Sequence, residues 1–300
     1  MGLQASAVPE RAEILSDRRG FVRLFWGALR QNPFALAALL VLVSMILTLL
    51  LAPLLPIRDP NTLKLGVRLT AWFSTTAYPL GTDELGRDLL SRVIWGGRIS
   101  LVAGLAAAGI SMTGGVLIGL ITGFKGKVID LFSMRVIDVL LALPPLILAI
   151  AVVASLGPGL RNAVIVLGVI GIPIYARVVR GVVLSLKESP FIEASRAIGA
   201  SDRRIVVRHV LPNTLAPIIV LFTLDVGQKI VFMAGLSFIG LGTQPPTADW
   251  GAMLASSKSY MASAPHAATI PGTAILIVVL SLNLLGDGLR DALDPRLARS

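Results

Sequence analysis

Apolar runs of about twenty residues recur along the chain, separated by shorter polar connections, and a run of that length crosses a bilayer as a helix. The runs cover residues 34–55, 99–124, 136–156, 163–184, 214–241 and 269–285. They predict an all-α, polytopic membrane protein of about six spans, with both termini on one side. The chain then divides into a tail (1–33), a membrane body (34–286) and a second tail (287–300). Within the body, 56–98 forms a loop on one side and 189–213 a loop on the other. Residues 85–98 of the first loop are expected to form a helix lying along the membrane surface.

Several positions interrupt the apolar pattern. In the second span Ala103, Ala107, Ser111, Gly115, Gly119 and Gly123 recur every fourth residue. Such a ladder lets two helix backbones approach closely, and the partner helix can belong to this chain or to another subunit. Pro144-Pro145 and Pro173 break the third and fourth spans. Proline removes a backbone donor and kinks a helix, so these are hinges or fixed bends. In the fifth span Asp225 and Lys229 lie four apart on one face, with Gln228 beside them. Charges at this depth face a bundle interior or a wet cavity. They either line a translocation path or form a self-neutralising pair held for packing.

Residues 189–213 form a polar island with its own punctuation. Ser189 suits an N-cap and Pro190 the first helical position. Gly199 offers a left-handed stop. Ser201 then caps a second helix that should end near Val210, before Pro212. The expected product is an elbow of helix, glycine turn and helix. Its apolar knobs are Phe191, Ile192, Ile198, Ile205, Val206 and Val210, surrounded by Arg196, Arg203, Arg204 and Arg208. An element of this kind is shaped either to dock in a groove on a soluble partner or to lie on the membrane as an amphipathic loop.

Composition supports the membrane assignment: 55% hydrophobic residues, 15% charged, and a mean hydropathy of +0.81. A net charge of +10 suggests nucleic acid at first sight. Its distribution argues otherwise. Arg11, Arg18, Arg19, Arg23 and Arg30 in the first tail fall on the same side as Arg177, Arg180, Lys187 and the elbow arginines. That is the asymmetry of the positive-inside rule. It puts the elbow and both termini in the cytoplasm, with the first tail uncleaved, and leaves no call for a nucleic-acid partner. There is no cysteine, and His209 and His266 are the only imidazoles, which leaves thiolate, redox and metal chemistry little to build on. No phosphate-binding G-x-x-x-x-G-K-[ST] string occurs, so this chain is not expected to bind ATP by a P-loop.

Two further strings stand out. Pro79-Leu80-Gly81-Thr82-Asp83-Glu84-Leu85-Gly86-Arg87-Asp88 leads into Leu90-Ser91-Arg92-Val93-Ile94-Trp95-Gly96-Gly97-Arg98. Gly81 and Gly86 permit tight turns, and Asp83, Arg87, Asp88 and Arg92 can form a local ionic cluster. After the fifth span come Ala234-Gly235-Leu236-Ser237-Phe238-Ile239-Gly240-Leu241-Gly242 and Asp249-Trp250-Gly251-Ala252-Met253-Leu254. Their glycines suit a chain leaving the bilayer, and Trp250 suits the interface.

Glu193-Ala194-Ser195 with Gly199, Ile205 and Leu211-Pro212 resembles the "EAA" loop of binding-protein-dependent ABC import permeases, with Ser195 where that family usually has Ala. The string through Gly81, Thr82, Asp83, Gly86, Arg87 and Asp88 resembles the hallmark of the dipeptide, oligopeptide and nickel permeases, specifically the C-type of their two unlike permease subunits. The resemblance covers about residues 20–297. It implies a type I permease fold in the bacterial inner membrane, without catalytic residues. The implied partners are a paralogous permease, two cytoplasmic ATPase subunits that hold the ATP and magnesium, and an extracytoplasmic solute-binding protein, with lipid around them. No cofactor is implied for this chain. Phe191, Ile192, Glu193, Ala194, Ser195, Arg196, Gly199, Arg203, Arg204, Ile205, Leu211 and Pro212 would then form the ATPase-coupling element. Short peptides are the expected cargo; nickel, opines and glutathione are alternatives. A rival of another class is an ion-gradient-driven transporter using Asp225 and Lys229.

Overall fold

The structure, a computed structural model, describes residues 32–293. Residues 1–31 of the expected first tail and 294–300 of the second lie outside these residues. Among the described residues the secondary structure is helical, apart from one isolated bridge between Thr82 and Asp88. The helices are α1 (Pro33–Leu50), α2 (Leu89–Lys125), α3 (Lys127–Leu141), α4 (Pro145–Leu156), α5 (Leu160–Lys187), α6 (Pro190–Ala197), α7 (Asp202–Ile205), α8 (Leu211–Phe238), α9 (Trp250–Ser257) and α10 (His266–Leu293). Among the described residues, five segments are long and apolar enough to cross a membrane: Pro33–Leu50, Leu89–Lys125, Leu160–Lys187, Asp202–Phe238 and His266–Ala292.

The third predicted span is not one straight helix. Its two halves, α3 and α4, meet at 90°. Pro145 pushes the residue before it out of helical geometry, and Pro144 accordingly takes an extended ψ of 123°. Six spans are reached only if this bent pair counts as one. The surface helix expected over 85–98 is also absent as a separate element. Asp88 caps α2 by accepting from the Leu90 amide at 3.1 Å, and the helix then runs unbroken to Lys125. Gly96 and Gly97 do not break it, because they are where other backbone and side chains press in. An added Cβ at Gly97 would lie 2.7 Å from the Trp250 ring, and one at Gly96 3.2 Å from the Asp249 Cα. At the far end α10 continues to Leu293, so residues 287–293 belong to the last helix rather than to a tail.

The ladder of small residues finds its partner within this chain. α2 and α5 run parallel with their contacts in register. Added Cβ atoms at Gly115, Gly119 and Gly123 would fall 2.3, 2.7 and 2.8 Å from the Cβ atoms of Tyr175, Val179 and Val183. The Ser111 hydroxyl donates across the same seam to the Gly168 carbonyl at 2.8 Å. Around this pair the core forms three buried clusters. One centres on Trp250, Ile230 and Val278, a second on Leu167, Val153 and Leu236, and a third on Val179, Val183 and Ile192.

Candidate functional site

The elbow is fastened to the bundle where α2 and α5 end together. Lys187, the last residue of α5, donates from Nζ to the Phe124 carbonyl at 2.8 Å. Ser189 precedes α6, but its hydroxyl donates back to the Leu186 carbonyl instead of capping the new helix. Gly199 adopts φ +81°, the predicted left-handed stop. Ser201 precedes α7 without a side-chain cap bond. The second helix does not stop near Val210. α7 opens into one π turn, Val206–Val210, and passes directly into α8. Pro212 follows the π turn inside this continuous helical run, and the local π adjustment accommodates its missing amide. The π turn shifts the backbone pairing just before it, and Asn213 Nδ2 donates to the His209 carbonyl at 2.6 Å.

The elbow has two faces. Ile192, Ile205 and Val210 are completely buried against Leu120, Phe124, Val179, Val183 and Ile218. This corrects the expectation that Ile192 and Ile205 fill a groove on another protein: they fill one in this chain, because their side of each short helix rests on the ends of α2 and α5. The outward face carries Phe191, 44% exposed, and Ile198, 86% exposed. Glu193, Ala194, Arg196, Gly199, Arg203, Arg204 and Arg208 are exposed with them, while Ser195, Leu211 and Pro212 are half-buried. The Arg196 guanidinium sits 5.5 Å above the Phe124 ring, and Phe191 meets His209 edge-on at 6.3 Å. Among the described residues, Glu193 and the elbow arginines form no ion pair.

Asp225 and Lys229 are both buried, with Nζ 3.5 Å from Oδ1. The Tyr175 hydroxyl of α5 donates to the other carboxylate oxygen at 3.2 Å. The α5 backbone closes over the lysine at Gly171, where an added Cβ would be 2.5 Å from Nζ and 2.2 Å from the Ser111 hydroxyl. The pair therefore occupies the junction of α2, α5 and α8, inside the subunit. Gln228 is exposed on another side of α8 and does not join it. Within the subunit, the ammonium and both carboxylate oxygens thus have partners.

At the opposite end, Gly81 and Gly86 take φ of +80° and +74°. A Cβ at Gly86 would lie 1.9 Å from the Lys64 carbonyl oxygen. Asp83 Oδ1 accepts from the Leu85 and Arg87 amides at 2.9 Å each. Its Oδ2 takes Arg87 Nε at 2.5 Å and lies 3.4 Å from Arg92 Nε. Asp88 is not part of this ionic cluster, contrary to expectation; it is spent on capping α2. Burial pushes its carboxyl above the usual carboxylate range, against the pull of the Leu90 amide and of Arg58. Thr82 accepts from the Thr70 amide at 2.9 Å, and its carbonyl lies 3.3 Å from His266 Nε2.

Residues 115–299 match the family described as binding-protein-dependent transport system inner membrane component, and residues 20–69 match the N-terminal TM domain of oligopeptide transport permease C. The chain is 43% identical to the dipeptide transport system permease protein DppC of Alkalihalophilus pseudofirmus, over 90% of this chain and 88% of that one. The chain belongs to this family of ABC transport permeases. It is also 44% identical to the di/tripeptide transport system permease protein DppC of Pseudomonas aeruginosa, over 91% of each chain. Identity to the glutathione transport system permease protein GsiD of Escherichia coli is 46%, over 91% of this chain and 90% of that one. A chain from inward-facing structures of the MetNI methionine ABC transporter aligns with a TM-score of 0.52 at 20% identity, covering 69% of this chain and 98% of its own. That likeness establishes the type I permease fold. The protein is thus a multi-pass inner-membrane transport permease.

Some of the permease's structural anchors are not legible as motifs. Tyr175 has no local signal, since its carboxylate partner lies fifty residues on in the sequence. Trp250 is expected at the membrane interface, yet it is fully buried: Nε1 donates to the Val93 carbonyl at 2.9 Å, and its backbone amide donates to Ser100 Oγ at 3.2 Å. The Ser237 hydroxyl donates to Asp249 Oδ2 at 3.2 Å. The two signature strings therefore interlock at one end of the bundle. Asp249 and Trp250 pack on Val93, Gly96 and Gly97.

Proposed function

We propose that this permease forms, with a paralogous permease, the translocation path of an importer for short peptides. In this reading two separate ATPase subunits dock on the elbow from the cytoplasm, and a solute-binding protein delivers cargo at the opposite end. The cargo assignment rests on the relatives: proteins named for dipeptides, di/tripeptides and glutathione are 43–46% identical over about nine-tenths of the chain. All three are short amide-linked solutes. The cytoplasmic placement of the elbow rests on the positive-inside asymmetry. ATP and magnesium belong to the ATPases; this chain supplies a mechanical element and catalyses no reaction.

The outward elbow face is the surface on which docking would act. Phe191 and Ile198 supply apolar contact. Glu193, Arg196, Arg203 and Arg204 set orientation through complementary charge. Ser195, Leu211 and Pro212 shape the support beneath, and Gly199 makes the turn. The elbow is joined to α5 on one side and, through the π turn, to α8 on the other. Ile192, Ile205 and Val210 clamp it to the bundle, so displacing it tilts both helices. The Asp225–Lys229–Tyr175 node ties α5 to α8 and makes them move together. ATP binding then shifts the permease between conformations only as far as the docked ATPases contact the two states differently.

The test is uptake of a labelled dipeptide into proteoliposomes holding the whole transporter and its binding protein. Uptake should vanish without ATP, persist with a protonophore, and be competed by other short peptides. Uptake that follows a proton gradient and ignores ATP would overturn the reading.

A further inference from the structure

α3 forms an arm of the bundle with little packing of its own. Among the α3 residues whose side chains are described, Ile137 alone is buried, and Val128, Phe132 and Val139 are fully outward. Beyond the 90° turn at Pro144-Pro145, α4 packs on the core through Ala149 and Val153. Two carboxylates nevertheless tie α3 to α5. Arg180 grips Asp130 with a two-pronged contact, Nε to Oδ1 at 2.5 Å and Nη2 to Oδ2 at 2.7 Å. Arg177 Nη2 reaches Asp138 Oδ1 at 2.5 Å. Among the described residues, these are the ion pairs that join two different helices.

Their position gives them a task. α5 is the helix that leads into the elbow, and Arg177 and Arg180 lie on one of its faces in its last turns. Arg177–Asp138 is exposed and Arg180–Asp130 half-buried; ion pairs open to solvent contribute little to stability, so holding the fold together is a poor account of two of them on one short helix. A planar guanidinium forked onto a carboxylate does fix orientation. A helix with little packing of its own follows whatever it is forked to.

We propose that Arg177 and Arg180 are positioning residues that carry tilting of α5 into the α3 arm, which swings on α4 at Pro144-Pro145. The proposal rests on the elbow being the ATPase dock. It assigns to these two arginines the step from a moved elbow to a moved α3.

The experiment uses the whole transporter in proteoliposomes, with Arg177→Ala and Arg180→Ala singly and together. ATPase subunits should still co-purify and hydrolyse ATP, while uptake in the double variant falls by about tenfold, within the usual range of coupling energies. Exchanging the charges, Asp130→Arg with Arg180→Asp, should restore most of the uptake lost in Arg180→Ala. The chain has no cysteine, so spin labels on Ala197→Cys and Val139→Cys report the elbow and the arm directly. The distance change on binding an ATP analogue should be lost without the arginines.

Parent-like uptake and distance change in the alanine variants would overturn the proposal. So would loss of ATPase association, which marks a role in folding, or a charge exchange no better than the single variant. Ile198→Asp separates the two layers of the argument. If it loses ATPase association while the arginine variants behave as parent, only the present proposal falls. If it keeps both association and uptake, the docking reading falls and takes the proposal with it.

Discussion

A lysine ammonium inside a membrane bundle is costly unless it is paired. Lys229 has Asp225 one turn away, and Tyr175 completes the carboxylate's coordination. Removing one member of such a pair strands the other in a dry site. Lys229→Met should therefore destabilise the subunit by about 3–5 kcal/mol, seen as a lower melting temperature of the purified transporter. Asp225→Asn with Lys229→Met, which strands no charge, should recover most of that loss and transport peptides nearly as the parent does. A stable double variant that transports none would return the pair to the translocation path. The two charges were legible in the sequence as a four-residue spacing in an apolar run. Tyr175 was not, because a hydroxyl that meets its partner across the bundle leaves no mark on its neighbours in the chain. Asp88 carries the residue scale to the other end of the protein. Its carboxyl titrates above the ordinary 3.8 because it is buried, so the folded state holds that proton more tightly than the unfolded chain. The stabilisation is full below the unfolded value and is lost as pH rises through the higher folded one. Asp88→Asn keeps a good cap and removes the titration. Melting curves of this variant should lose the acid-side gain that the parent shows.

At the scale of elements, the elbow shows what local rules capture and where they stop. Pro190 and Gly199 behave as their backbone chemistry dictates: the first opens α6, and the second supplies a φ of +81° that other residues adopt only at a cost. Gly199→Ala should lower stability by about 1–2 kcal/mol, measured by thermal unfolding, with ATPase coupling weakened as the turn deforms. Pro212 was misleading because a proline reads as a stop, yet the helix runs through it, helped by a π adjustment just before it. The π turn of Val206–Val210 delivers the chain into α8 with that register already set. The division between Ile192 and Ile198 was equally hidden. In a helix of two turns, both faces offer apolar residues, and only the ends of α2 and α5 decide which face is buried. The α3–α4 bend was half legible: two adjacent prolines announced an interruption, while its 90° angle depends on the geometry around them.

For the whole molecule, the parallel α2–α5 pair is the spine. Its small residues bring the backbones together along four turns, and each end of the spine carries a device. At one end, Trp250 and the Asp83 cluster close the bundle. At the other, the elbow stands out from it. Five of the six expected spans were legible from hydropathy, since length and apolarity are properties of the chain alone; the third is a bent pair of helices. The interlocking of the two signature strings was not, because Val93 and Trp250 are brought together by tertiary packing. The central claim is that force enters this permease through the outward face of the elbow. In a chain with no native cysteine, a cysteine replacing Ile198 and one replacing Ile192 probe the two faces separately, and each can be paired with a short cross-linker in the assembled transporter. Ile198→Cys should cross-link to an ATPase subunit, with the yield changing when ATP is bound, and Ile192→Cys should not. Cross-linking from neither position, or from the buried one alone, would contradict the account.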